Sequence, residues 1–511
     1  MNFFVYFENH FKVVLPEIYI VLSGLFLLIL GVYYSNLKHY KYPFLVREFS
    51  YILLLIFSFS IYLLINNPIE NMIIFHNLLV IDHFTTTLKI IILMSSFFCV
   101  AVSFEYLSKE RINMFEYNIL ILFAVFGSLC FISSNDIVSL YLALEVTSLS
   151  FYILTTIKKN SAFSTEAGLK YFILGAFSSG LMLFGISLIY GSTGTTNFAD
   201  LHLLLAQPGS SSFLENIFNL DFGRSDSLAL GLIFLMIGFL FKLTAAPFHM
   251  WAPDVYEGAP TSISLFFAVV PKIGMLGMFV KVLYFLFIDF IDLWQNITII
   301  CGLLSVFVGT FAALQQYKIK RFLAFSSISH IGFLLIGVSA GTSEGVTATL
   351  FYLIVYVIMT LNVWTIVILL EIKNKETVRI RYITDLQHLS KNNMLLSFTF
   401  MVNLFSMAGI PPLAGFYSKA FVFYAAYQAN LVILVIVGIL LSVVSAFYYI
   451  RFIKIIFFDT YDNNLFYHQS IDAKKAYTLG LTFFFLLFLF LHPSGLMEIS
   501  LELARSMYSS Q

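Results

Sequence analysis

Apolar and polar positions along this chain separate into long blocks rather than alternating on a helical or strand period. A stretch such as "LPEIYIVLSGLFLLILGVYY", residues 15–34, is apolar on every face. Runs of this length predict helices that cross a membrane. Fourteen spans are predicted: 15–34, 49–66, 79–104, 117–133, 137–157, 166–190, 228–250, 261–287, 295–316, 322–340, 346–371, 395–427, 431–457 and 477–492. The spans 228–250 and 395–427 contain Pro247 and the pair Pro411 and Pro412, which lack backbone donors and break or kink a helix. The expected fold class is an all-α polytopic membrane protein of about fourteen transmembrane helices.

The polar connections sort by charge. With the N-terminus outside, the inner connections hold nineteen lysines and arginines and the outer segments three. Positive residues concentrate on the inner side of membranes, and one missed span would scramble this contrast. Both termini are therefore expected on the outer side. The spans also repeat. Residues 117–287 contain five and residues 295–457 contain five, so the second block is inverted relative to the first, and the proline-bearing span is fourth in each. The reading is two inverted five-helix repeats, each with a broken helix, preceded by a three-helix segment, 1–116, and followed by a C-terminal helix and tail, 458–511. Paired broken helices in inverted halves point to an ion path at the bilayer midplane. Freed carbonyls and local water make a buried charge tolerable there.

Composition narrows the chemistry. The 511 residues are 60% hydrophobic and 11% charged, against about 25% charged in soluble domains. The zero formal charge gives no pointer to nucleic acid. Cys99, Cys130 and Cys301 are isolated in apolar stretches, so neither an iron–sulfur cluster nor structural zinc is expected. "GSTGTT" lacks the GxGxxG spacing of a phosphate-binding loop. Redox and nucleotide chemistry is thus expected elsewhere than on this chain. The N-terminus shows neither an Arg-rich transit peptide nor a cleavable signal, so its first apolar stretch reads as a retained span.

The charges left inside spans are the candidate chemistry. Six lysines lie there, Lys89, Lys170, Lys242, Lys272, Lys281 and Lys419, with one mid-span carboxylate, Glu145. A charge at the bilayer centre costs roughly 2.5–3.5 kcal/mol on insertion scales. A buried lysine can lose its proton where an arginine cannot, so a row of lysines can relay protons.

Four ordered motifs, "FKLTAAPFHMWAPDVYEGAP", "AVVPKIGMLG", "YKIKRFLAFSSISHIG" and "GIPPLAGFYSKAFVF", resemble the antiporter-like membrane-arm subunits of respiratory complex I, NADH:ubiquinone oxidoreductase, in their subunit 2 form. The resemblance covers roughly two thirds of the chain, from the fourth span to the thirteenth. It implies a proton-translocating subunit of the mitochondrial inner membrane. It likewise implies that Glu145 pairs with Lys242, that Lys272 is the central lysine and that Lys419 lies near the exit. NADH, FMN, iron–sulfur clusters and ubiquinone would be bound by other subunits and no cofactor by this one. Its partners would be other membrane-arm subunits, lipid and protons. A subunit of a multi-subunit sodium/proton antiporter shares the scaffold and is the alternative.

Plainer roles compete at several positions. Lys281, near the end of its span, is expected to snorkel to the interface. Lys170 either snorkels or relays. His249 and His330 either bond a carbonyl or carry protons, since imidazole titrates near neutral pH. Lys89 lies outside both repeats and is expected to meet a neighbouring subunit or a lipid headgroup. Asp254 and Glu257 are expected to cap or be solvated unless they guard a channel mouth. Glu145 and Lys242 could also form a purely structural ion pair.

Overall fold

The computed structural model describes residues 10–35, 45–67, 71–110, 112, 114–205, 224–373, 377–387, 389–459, 466–467 and 472–509. Their backbone is almost entirely helical, since a helix satisfies its own N–H and C=O groups where no water is present. In chain order the helices are α1 (Leu15–Ser35), α2 (Leu45–Ile65), α3 (His83–Lys109), α4 (Glu116–Ser133), α5 (Ile137–Thr155), α6 (Ala162–Thr193), the short α7 (Phe198–Leu205), α8 (Arg224–Leu243), α9 (Trp251–Gly258) and α10 (Thr261–Lys281). They continue as α11 (Ile291–Leu314), α12 (Ile319–Ser339), α13 (Ser343–Leu369), the single turn α14 (Leu389–Asn392), α15 (Met394–Ala408), α16 (Ala414–Gln428), α17 (Val432–Phe457), α18 (Ala473–Phe488) and α19 (Pro493–Ser509). Two small antiparallel sheets sit between helices. Strands β1 (Met72–Ile74) and β2 (Leu79–Ile81) pair Met72 with Ile81, while β3 (Glu371–Lys373) is flanked by β4 (Thr377–Arg379) and β5 (Phe466–Tyr467).

Among the described residues, twelve helices are long and apolar enough to cross a membrane, and the pair α18 and α19 makes a thirteenth. The expected span 395–427 is instead two helices, α15 and α16, separated by residues 409–413. The span 228–250 ends early, at Leu243, and the chain resumes as helix at Trp251. The third span begins at His83, because 79–81 forms a strand. The C-terminal tail is itself helical: α19 turns by 95° from α18 and packs on α3 and α13, with Leu503, Ala504 and Met507 buried.

The connections fall on two faces. On the first, the β1–β2 hairpin meets the α4–α5 and α6–α7 turns through Asn135 N–H to Leu78 O at 2.9 Å and Ile137 N–H to Thr196 O at 3.0 Å. On the second, Lys158 pairs with Glu110 at 2.5 Å and Lys475 with Glu105 at 3.2 Å. This alternation supports the span order read from charge. Buried residues make up 94% of the apolar window of α10, 94% of α12 and 83% of α13, against 33% for α1 and 39% for α6. The first three are therefore enclosed by protein, and polar side chains on them do not face lipid.

Candidate functional site

Both helix breaks sit where an ammonium group needs oxygen atoms. Helix α8 stops because Thr244 takes φ +68°, and the amides beyond it turn back. Ala245 N–H donates to Leu240 O, Ala246 N–H to Ser305 Oγ, and the Trp251 indole to Phe241 O. Lys242 occupies the last turn of α8, where the negative end of the helix dipole favours a cation. At the second break Gly409 takes φ +84°, and a Cβ there would lie 2.9 Å from Lys419 Cδ. Glycine thus lets the lysine approach the end of α15. Lys419 Nζ donates to the carbonyls of Met407 at 3.1 Å and Ala408 at 2.8 Å, two acceptors left over by the helix terminus. The ring of Phe333 faces the same ammonium, 4.9 Å from its centroid.

Lys272 lies between the two breaks. Pro271 precedes it inside α10 and cannot close the usual bond to Phe267 O. Lys272 is 2% exposed and donates to the Tyr356 hydroxyl at 3.0 Å. Its ammonium is also 5.3 Å and 6.0 Å from the ring centroids of Tyr356 and Tyr256.

The carboxylate end is assembled on one face of α5. Residues 145, 148 and 152 recur at helical spacing. Ser148 Oγ donates to Glu145 Oε2 at 3.2 Å, and Lys242 Nζ donates to Tyr152 Oη at 3.3 Å. Glu145 Oε1 is buried without a protein partner. No salt bridge joins Glu145 to Lys242, so the expected direct pair is replaced by a row with Ser148 and Tyr152 between them.

His330 lies in the tyrosine cluster next to Lys272. It is 1% exposed, and its ring nitrogens meet Tyr352 Oη at 2.8 Å and Tyr449 Oη at 3.2 Å. Its ring also lies 5.6 Å from that of Tyr356, whose hydroxyl accepts from Lys272. Tyr449 Oη continues to Ser326 Oγ at 2.5 Å. A small cavity beside His330, lined by Ser326, Ser327, Tyr356 and Thr360 among others, has room for about one water. His330 thus contacts hydroxyls, not a carbonyl.

The other sequence candidates separate from this row. Lys170 is exposed and pairs with Glu166 at 2.8 Å and Asp254 at 2.9 Å. Arg321 joins the same network through Asp254 and Glu257, and Lys318 through Glu257. Burial alone would raise the Asp254 carboxyl, but hydrogen bonds and charge from Lys170 and Arg321 hold it below the usual aspartate value. His249 is 7% exposed with Nδ1 unpartnered. Lys281 does not snorkel: it is 3% exposed, because α10 is enclosed to its end. Lys89, expected to reach a neighbour or lipid, is 1% exposed and salt-bridged to Glu17 at 2.5 Å. Sequence reading missed the tyrosines 152, 352, 356 and 449. The i, i+4 spacing of Tyr352 and Tyr356 was the available signal, but one aromatic pair among 18% aromatic residues does not stand out.

The family described as "NADH:quinone oxidoreductase/Mrp antiporter, TM" matches residues 134–445. NADH-ubiquinone oxidoreductase chain 2 of Marchantia polymorpha is 43% identical over 499 residues, covering 98% of this chain and 99% of that one. NADH-quinone oxidoreductase subunit N of Pelagibacter ubique is 39% identical, covering 96% and 98%. A chain of respiratory complex I from Thermus thermophilus superposes with a TM-score of 0.76 at 25% identity, covering 94% and 98%. The two broken helices and the buried lysine row therefore occur in a full-length match to these relatives, and the chain belongs to the NADH:quinone oxidoreductase/Mrp antiporter family as a complex I antiporter-like subunit of the chain 2/subunit N type.

Proposed function

We propose that this chain is the proton-translocating subunit 2 of a mitochondrial complex I, with Glu145, Lys242, Lys272 and Lys419 as the relay and His330 as the step between the last two. One observation carries the reading. Three buried or half-buried lysines are bonded to neutral oxygen atoms, the hydroxyls of Tyr152 and Tyr356 and the carbonyls of Met407 and Ala408, and none is in a salt bridge. A structural ion pair fixes an ammonium as charged. A hydroxyl can accept from the ammonium or donate to the neutral amine, so both protonation states are accommodated.

A proton entering beside Glu145 passes to Lys242, then to Lys272, and through His330 to Lys419. Waters bridge the gaps, and the tyrosine hydroxyls orient each transfer. Glu145 sets the charge state of Lys242 from across Ser148 and Tyr152. The chain contributes no electron-transfer chemistry; NADH oxidation and ubiquinone reduction belong to neighbouring subunits, whose cofactors it does not bind. Residues 117–287 and 295–457 act as two inverted halves. Supporting this, α4 packs on α5 as α11 packs on α12, and α4 on α10 as α11 on α17. Both termini face the intermembrane space.

The test is NADH-driven proton uptake by the assembled complex in liposomes. Lys272→Met and Lys272→Arg should both lower the proton-to-electron ratio while the complex still assembles. An unchanged ratio in both would reject the relay. The sodium/proton antiporter alternative predicts sodium-dependent exchange without NADH.

A further inference from the structure

A second buried set of charges lies at the first membrane face, outside the lysine row. Glu17 of α1, Asp82 at the N-cap of α3, Lys89 of α3 and Lys281 of α10 are each 1–3% exposed. Lys89 pairs with Glu17 Oε1 at 2.5 Å. Glu17 Oε2, both carboxylate oxygens of Asp82 and the Lys281 ammonium have no hydrogen-bond partner in the protein. Asp82 and Lys89 both act electrostatically on Lys281. Buried charged groups without protein partners are satisfied by water or an ion.

Helix register explains the juxtaposition. Helices α3 and α10 run antiparallel and approach closely: a Cβ on Gly274 would meet Ile92 at 3.8 Å, and one on Gly277 would meet Leu88 at 2.6 Å and Phe84 at 4.0 Å. One turn on, Lys281 arrives at the N-cap of α3, which is Asp82. The helix then loosens into a π-turn, Val282–Leu286, a form frequent at functional sites.

Lys281 shares its face of α10 with Pro271 and Gly274, not with Lys272, which is half a turn away. That face lines a small cavity with Ser128 of α4 and Thr147 of α5, with room for about one water. Thr147 is two residues from Glu145, and Gly274 lies about 10 Å below Lys281 along the helix. The cavity thus lies in the protein interior on the side of α10 that leads to Lys281, although Thr147 itself is on the face of α5 away from Glu145.

We infer that Lys281 and Asp82, backed by the Lys89–Glu17 pair, form a proton gate between the protein interior and the first membrane face. This deepens the translocation reading and rests on it. A proton arriving through water converts the Lys281 amine to ammonium. The ammonium then passes its proton, again through water, to the Asp82 carboxylate. Asp82 releases it to the aqueous face, and no other bond forms or breaks.

The experiment uses the assembled complex in liposomes, with proton uptake and NADH oxidation measured together for Asp82→Asn, Lys281→Leu, the double variant Asp82→Leu/Lys281→Leu, and Lys272→Met as reference. The gate predicts that both single variants lower the proton-to-electron ratio as far as Lys272→Met does. It also predicts that the double variant, which removes both charges, leaves the ratio low. A wild-type ratio in Asp82→Asn, or full recovery of assembly and ratio in the double variant, would overturn the gate in favour of a structural charge pair while Lys272→Met still reports the relay. A wild-type ratio in Lys272→Met as well would defeat the underlying translocation reading.

Discussion

Each lysine of the proposed relay is tolerated for a different local reason. Lys242, in the last turn of its helix, uses the Tyr152 hydroxyl, Lys419 the carbonyls at the end of a neighbouring helix, and Lys272 a tyrosine hydroxyl and two aromatic faces. A positioned acid–base group typically contributes 10²- to 10⁴-fold, so Lys272→Met should slow proton transfer by roughly a hundredfold or more. Lys272→Arg should do no better, because a guanidinium keeps its proton. Both follow from single-turnover proton uptake in the assembled complex. At His330 the expectation concerns stability too. His330→Leu strands the Tyr352 hydroxyl in a buried site and leaves Tyr449 with Ser326 alone, and an unsatisfied group costs about 1–3 kcal/mol. Thermal unfolding of the complex should move down accordingly, and Gln, which can bond one hydroxyl, should recover part of the loss.

At the scale of elements, the two breaks do the positioning. Gly409 combines a left-handed backbone with close approach of the Lys419 side chain. Gly409→Ala should therefore destabilise by about 1 kcal/mol from backbone strain alone and displace Lys419 from the Met407 and Ala408 carbonyls. Both a lower melting temperature and a lower proton-to-electron ratio are expected. The ion network at the second face should behave differently. Asp254 and Glu257 are partly exposed, at 33% and 22%, and exposed pairs contribute about 0–1 kcal/mol. Arg321→Gln should leave melting and pumping nearly unchanged at physiological salt. Helix α19 is the element that the hydropathy pattern leaves out. Leu503→Ala, at a fully buried site, should cost about 2–5 kcal/mol, read from thermal unfolding.

For the whole molecule, the enclosed helices α10, α12 and α13 form a polar interior wrapped by helices that show apolar surface outward. The described outer helices expose residues such as Phe26, Ile29, Phe172, Phe177, Ile433 and Leu440, which suits lipid and the neighbouring subunits of a membrane arm. The wrapping keeps lipid from the lysines and leaves small cavities, each with room for about one water, beside His330 and Gly274.

The run of membrane-spanning helices, the two breaks and the charges placed inside spans were legible in the sequence. The reason is energetic: in an oily surrounding each charge and each proline is costly and stands out against its neighbours. Contacts between distant spans were not legible, because hydropathy is the same on every face of an enclosed helix. Only the tertiary structure placed Tyr152 between Glu145 and Lys242 and set His330 among the hydroxyls of Tyr352 and Tyr449. Packing likewise decided that Lys281 is enclosed instead of snorkelling. Its position near a span end suggested the interface, but α3 lies against that end of α10 and brings Asp82 to it. The sequence by itself determined which groups would be buried at a cost; the fold decided which of them meet.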